Sequence, residues 1–161
     1  MSARIFASTL FVVIGLSGIT ARADDATAGI AVGGQVQHPI IVTVQDPQRL
    51  PATPVSVSFQ TDKGQESASY TGALLWSVIA EAAPMDTPGK NTKLRHTILI
   101  TGRDGYAVSL SEGELDPAFE GKSVLLAYEK DGTPIGRVRL VVPGDHHGGR
   151  AVRDVVRIDV Q

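Results

Sequence analysis

Apolar side chains recur at helical spacing in one stretch of the chain. Leu74, Leu75, Val78, Ile79 and Ala82 fall on one face, Trp76 edges it, and Pro84 stops the run, which predicts the main helix. Elsewhere the period is two, or the apolar runs are short, and both patterns favour strands. Val32–Val36 and Ile40–Val44 read as short extended segments divided by His38-Pro39, because proline holds the residue before it in extended geometry. Val55–Phe59 alternates apolar and polar as a half-buried strand does, and Asp62-Lys63-Gly64 turns it. His96–Gly102 and Tyr106–Leu110 flank the turn dipeptide Asp104-Gly105, a hairpin signal. Val124–Glu129, a tight turn at Asp131-Gly132, Val138–Val142 and Val155–Val160 complete the strands. Ser111-Glu112-Gly113-Glu114 has capping-box spacing and predicts one helical turn through Leu115. These elements predict an α+β domain: a β-rich mixed sheet with one main helix and one short helix.

The N-terminus has a different pattern. Arg4 precedes the apolar run Ile5–Leu16, which is shorter than the roughly 20 residues needed to span a bilayer. Ala21-Arg22-Ala23 has the form of a cleavage site. The expected organisation is a Sec-type signal peptide over 1–23 cut after Ala23, a disordered lead-in over 24–31, and one domain over 32–161. That places the mature protein in the periplasm or outside the cell, with no membrane attachment after cleavage. A twin-arginine pair, the mark of the folded-export route, is absent.

Composition narrows the function. The 161 residues carry a net charge of −2 and only 5% aromatics, so no basic footprint for nucleic acid is evident. There is no cysteine, so no disulfide supports the core. The signatures G-x-S-x-G, H-E-x-x-H and the Walker loop are absent.

Three groups of residues have candidate chemistry. Asp145, His146 and His147 are donors suited to zinc, copper or nickel. Adjacent histidines on an extended chain point apart, but Gly148-Gly149 allows the bend that would converge them, with a third donor from His38, His96 or Asp104. In Arg103-Asp104-Gly105-Tyr106, Asp104 suits the turn while Arg103 and Tyr106 suit a pocket rim facing an anion or ring. His147, Arg150 and Arg153, with exposed loop amides, suit a phosphate or sulfate. Arg137, Arg139 and Arg157 alternate with apolar residues and read as a solvated sheet face open to an acidic partner.

Three motifs appear in order: Asp104-Gly105-Tyr106, then Arg139-Leu140-Val141-Val142-Pro143-Gly144, then Val155 to Val160 in the form V-x-x-I-x-V. Together they resemble the oxidoreductase molybdopterin-binding domain, the fold of sulfite oxidase and its bacterial periplasmic relatives. The resemblance runs from Val32 to Val160. It implies a sulfite oxidase-like fold and a pterin pocket near the Asp104 hairpin. The cofactor-binding set it implies is Arg103, Asp104, Tyr106, Arg139, His147, Arg150 and Arg153.

Members of that family ligate molybdenum through one cysteine thiolate, in a loop after an early strand. The corresponding stretch here is Gln60-Thr61-Asp62-Lys63-Gly64-Gln65-Glu66-Ser67, and Gln, Thr and Ser are poor donors to a metal that favours thiolate. A Sec passenger also crosses unfolded and cannot carry a cofactor seated beforehand. The expectation is a non-catalytic binding or accessory module of a redox system, with a periplasmic redox protein as partner and no molybdopterin. Two alternatives stand beside it: a molybdopterin-dependent oxidoreductase with unusual metal ligation, and a periplasmic metal-binding protein built on Asp145-His146-His147.

Overall fold

Period-two burial marks the strands, the commonest elements of the described residues. The computed structural model describes residues 29–43, 50–61 and 64–161. In chain order the elements are β1 (Ile30–Gly34), β2 (Ile40–Val42), β3 (Ala52–Thr61), β4 (Gly64–Leu74), α1 (Leu75–Ala82), β5 (Thr97–Gly102), β6 (Ala107–Ser111), α2 (Glu112–Leu115), β7 (Leu125–Lys130), β8 (Thr133–Val141) and β9 (Val155–Val160). The leader expected over 1–23, most of the lead-in, Val44, and Asp62-Lys63 lie outside the described residues. Within the lead-in, Ile30 and Ala31 already belong to β1, because Ile30 is buried and pairs with Val42.

Two sheets form where one mixed sheet was expected. The first has the order β2-β1-β9-β5-β6 and is mixed, since β1 and β9 run parallel. The second is antiparallel, β3-β4-β7-β8. The main core combines both sheets with α1: Ile30, Val32, Ile98, Ile100 and Ile158 from the first, Ala73, Leu126 and Leu140 from the second, and Leu75, Val78, Ile79 and Ala82 from the helix. A smaller cluster of Val57, Ala68, Tyr70, Leu125, Ala127 and Val141 lies within the second sheet.

β4 is the principal departure from expectation. Gln60, Thr61 and Gly64–Ser67 are strand where a loop was expected. Gln60 and Thr61 end β3, Gly64 to Ser67 open β4, and the pairing Ser58↔Ser67, Phe59↔Glu66, Gln60↔Gln65 continues the ladder to Thr61↔Gly64. One face of this hairpin is polar and exposed, with Ser58 Oγ accepting from Gln65 Nε2 and Ser67 Oγ at 2.9 Å each. Gly72 starts no helix. It lies in β4 at a bulge against β7, where a Cβ would stand 2.4 Å from the Leu126 carbonyl oxygen and 2.6 Å from the Ala127 Cα. Only glycine permits that approach. The helix begins at Leu75, after an extended Leu74.

The Asp104-Gly105 hairpin forms as expected between β5 and β6. So does the capping box at α2: Ser111 Oγ accepts from the Gly113 amide at 3.2 Å, and Glu114 Oε2 accepts from the Ser111 amide at 3.0 Å.

Candidate functional site

Arg137 and Arg139 stand two residues apart on β8 and therefore share a face of the second sheet. The end of β7 adds Lys130, β4 adds Tyr70, and the segment entering β9 adds Arg153 and Asp154. With Ile135 these line a cleft of about 250 Å³. Tyr70 is almost fully buried. Lys130 Nζ lies 5.9 Å and Arg139 Cζ 5.7 Å from its ring centroid, within the range at which a cation is attracted to a ring face.

The cations of this cleft are unevenly matched. Lys130 donates to Glu66 Oε1 at 2.7 Å, and that bond holds its ammonium above the ordinary lysine range. Arg137 pairs with Asp154, whose Oδ2 also accepts from Arg103 Nε at 2.9 Å. Arg139 Nη1 donates to the Tyr70 hydroxyl at 3.3 Å, but its Nε is buried with no hydrogen-bond partner among the described residues. A buried donor left in that state costs about 1–3 kcal/mol, more when charged. Arg153 is exposed and makes no hydrogen bond or ion pair among the described residues. Behind Arg139 lies a slot of about 20 Å³ walled by Val57, Phe59, Val141 and His147, room for roughly one water.

The neighbouring loop, from Pro143 to Val152, is held by a clasp. Arg150 donates from Nε and Nη2 to the two Asp145 oxygens at 2.9 and 2.5 Å, and from Nη1 to Glu114 Oε1 at 3.2 Å. These partners, Asp145 first, hold the guanidinium above its ordinary value. Burial pushes the Glu114 carboxyl up, but the Ser111 amide, Arg150 and Lys122 together outweigh it and hold Glu114 below the usual carboxylate range. The Tyr106 hydroxyl donates to the Gly149 carbonyl at 2.6 Å, and the Gln60 amide donates to the His146 carbonyl at 2.8 Å.

No family model matches the chain, and no curated protein sequence matches it. Among solved structures it is similar to the sulfane dehydrogenase SoxCD from Paracoccus pantotrophus, at 20% identity and a TM-score of 0.65. The alignment covers 84% of this chain and 38% of that one, so the chain spans well under half of its neighbour's length. The fold is sulfite oxidase-like.

The expected cofactor-binding residues do not converge on one pocket. Arg139 and Arg153 line the cleft, and Arg103 reaches its Asp154. His147 lines the slot behind Arg139. Asp104 Oδ1 accepts from the Tyr106 amide at 2.9 Å and so closes its own turn. Tyr106 and Arg150 hold the loop. As for the metal set, both Asp145 oxygens are engaged by Arg150, while His146 and His147 are exposed. Among the described residues no three His, Asp or Glu side chains form a group able to hold a metal. The loop is stapled by an ion pair at the place where a metal was expected. The three strand arginines also separate: Arg157 lies on the first sheet, donating to Asp159 at 2.5 and 2.6 Å.

The family's molybdenum does not fit the donor set here. The sequence contains no cysteine, and the described residues of the expected ligand stretch, Gln60, Thr61 and Gly64–Ser67, lie in paired strands. The basic cleft does suit an anionic group.

One further pair has no motif in the sequence. His96 Nδ1 lies 2.5 Å from Glu112 Oε2, and both residues are buried. Burial pushes the Glu112 carboxyl up, with the bond to His96 opposing it. The hairpin register contains this pair: Thr97 faces Ser111, so the next step out sets His96 beside Glu112. Tyr70, Lys130 and Asp154 give no comparable local signal.

Proposed function

We propose that this chain is a non-catalytic binding module of an exported redox system, built on a sulfite oxidase-like fold and working without protein-ligated molybdenum. The observation that carries this reading is the missing thiolate: a soft anionic sulfur is the protein's means of holding molybdenum in such a fold, and the sequence contains none. Two further features support it. The likeness to the sulfane dehydrogenase SoxCD supports a redox setting for the fold. The leader pattern over 1–23 suits an exported protein whose partner is a periplasmic redox protein.

The test is metal and pterin content of the protein purified from its native compartment in chelator-free buffer. The expected result is neither molybdenum nor a fluorescent oxidised pterin. Molybdenum near one equivalent overturns the proposal in favour of an oxidoreductase with unusual ligation. Zinc, copper or nickel near one equivalent, lost in His146→Ala or His147→Ala, overturns it in favour of a metal-binding protein.

A further inference from the structure

We infer that the outer edge of β3 receives an extended segment of a partner protein, which adds a strand to the second sheet beside residues 54–58. This names the contact through which the proposed module meets its partner, and it rests on that proposal.

β3 is an outer strand of the second sheet, whose order is β3-β4-β7-β8. The Gln60 amide points away from β4, since it donates to the His146 carbonyl at 2.8 Å. In an antiparallel ladder, residues that bond the neighbouring strand alternate with residues that bond outward. The register of β3 with β4 runs without a shift from Ala52↔Ala73 to Thr61↔Gly64. Ser56 and Ser58 therefore also turn their amides and carbonyls outward, and nothing meets them among the described residues. Pro54 has the same phase. A strand tolerates proline where the missing N–H faces outward, so its place in β3 agrees with this alternation.

The edge lacks the usual guards. Natural edge strands are kept short, charged, bulged or covered. Over its 10 residues β3 has no charged side chain and no bulge. The other edges differ. β2 has 3 residues and β6 has 5, while β8 contains Arg137 and Arg139 and shifts register against β7. Pro54 and the loop at Gln60 close the two ends of the β3 edge and leave the donors and acceptors of Ser56 and Ser58 open between them.

The loop also decides what docks. His147 already pairs with Gln60 as one residue of a parallel strand. Suppose β3 of a second copy paired here about a two-fold axis at Ser56 or Val57, the middle of the open stretch. Ala52 or Pro54 of that copy would then fall opposite Gln60, in the space that His146 and His147 fill. A short segment that ends before Gln60 meets no such obstacle. Its side chains follow from the two faces it extends. Val55 and Phe59 are half-buried on one face and favour apolar neighbours, while Ser56 and Ser58 are exposed on the other and favour polar ones. With no charge on β3 to pair, the segment is uncharged where it pairs, and it alternates β-branched apolar with polar residues.

The experiment is amide hydrogen exchange on the full-length protein, alone and with the blocked peptide acetyl-Thr-Val-Thr-Val-Thr-amide. In the free protein the Ser56 and Ser58 amides should exchange at least about tenfold faster than those of Val57 and Phe59, which bond β4. Millimolar peptide should slow both serine amides by at least about tenfold and leave Val57 and Phe59 unchanged. Ser56→Pro, which removes one outward donor as Pro54 does, should abolish the slowing at Ser58, whereas Ser56→Ala keeps the amide and should preserve it. The same peptide with every amide N-methylated should not bind, a test of the ladder that needs no variant to fold. The peptide acetyl-Thr-Lys-Thr-Lys-Thr-amide should bind at least about tenfold more weakly, because its cations face Val55 and Phe59. No slowing at millimolar peptide, equal binding of the N-methylated or lysine peptide, or equal loss in Ser56→Ala and Ser56→Pro overturns the site. Serine amides already slow in a dimer by sedimentation overturn it in favour of a second copy. Metal analysis of the same sample keeps the two proposals apart. Molybdenum-free protein that ignores the peptide overturns the edge alone, whereas molybdenum near one equivalent overturns the module.

Discussion

The clasp at Arg150 and the cleft at Arg139 are neighbours built from the same chemistry with opposite balance. In the clasp, one guanidinium meets two carboxylates, Asp145 and Glu114, and three of its nitrogens donate. In the cleft, Lys130 pairs with Glu66 and Arg137 with Asp154, while Arg139 has one buried nitrogen with no partner among the described residues. A charge network that closes on itself holds chain to chain. One left open on the side of the donors is arranged for something that arrives. Both groups include residues that the sequence marks as candidates for anion binding, and only their partners tell them apart.

The largest effect expected of a single substitution comes at Gly72. Gly72→Ala drives a methyl into the β7 backbone, which cannot yield as a side chain would, and should cost at least about 1–3 kcal/mol. It should also displace Lys130 from Tyr70 and so abolish the cleft, leaving the Arg150 clasp in place. A lower thermal midpoint checks this, and a variant as stable as the parent would contradict the close approach of β4 and β7.

Breaking the clasp ranks second. Arg150→Met removes a bidentate pair and the bond to Glu114, with about 1–2 kcal/mol expected because the side chain is one-third exposed. Denaturant midpoints measure it. The same unfolding experiment on Arg153→Gln should register within about 0.5 kcal/mol of the parent, as for an exposed side chain without partners. Equal losses from the two arginines would erase the distinction between clasp and cleft.

A finer comparison uses two carboxylates two residues apart. Glu114 is held below its ordinary value of 4.5, so the stability it contributes is present above that pH and is lost as pH falls through the lowered value. Glu112 is pushed above 4.5 by burial, so its contribution is greatest in acid and declines as pH rises from the ordinary value through the raised one. Glu114→Gln should flatten the acid limb of a stability profile, and Glu112→Gln the decline on the other side. Profiles that shift in the same direction would refute one of the two assignments.

Much of the architecture is legible in the chain. The Asp104 hairpin, the Ser111 capping box, α1 and β9 each have a local cause: turn chemistry, an acceptor at the right spacing, or an apolar period. β4 has none of comparable strength. Only Ala68 and Tyr70 mark its inner face, which the polar Glu66 shares, while Gln65, Ser67 and Ser69 face water and resemble a loop. The cleft was half visible. Arg139 and Arg153 are drawn by the family resemblance, but Tyr70 and Lys130 come from strands distant in sequence and meet only once the sheet order is set. Charge partners are equally hidden: nothing in the sequence assigns Arg150 to Asp145 and Glu114 and leaves Arg153 without them.

The parallel pairing of β1 with β9 bears on how the protein comes into being. β9 lies between β1 and β5, so the strand nearest the start of the domain waits for the last one. A nascent chain that has exposed everything up to Val142 can zip the second sheet hairpin by hairpin, but its first sheet has no centre until Val155 to Val160 emerge. Long-range closure of this kind is slow and comes late. Whatever handles the growing polypeptide therefore meets the first sheet still open until β9 has emerged.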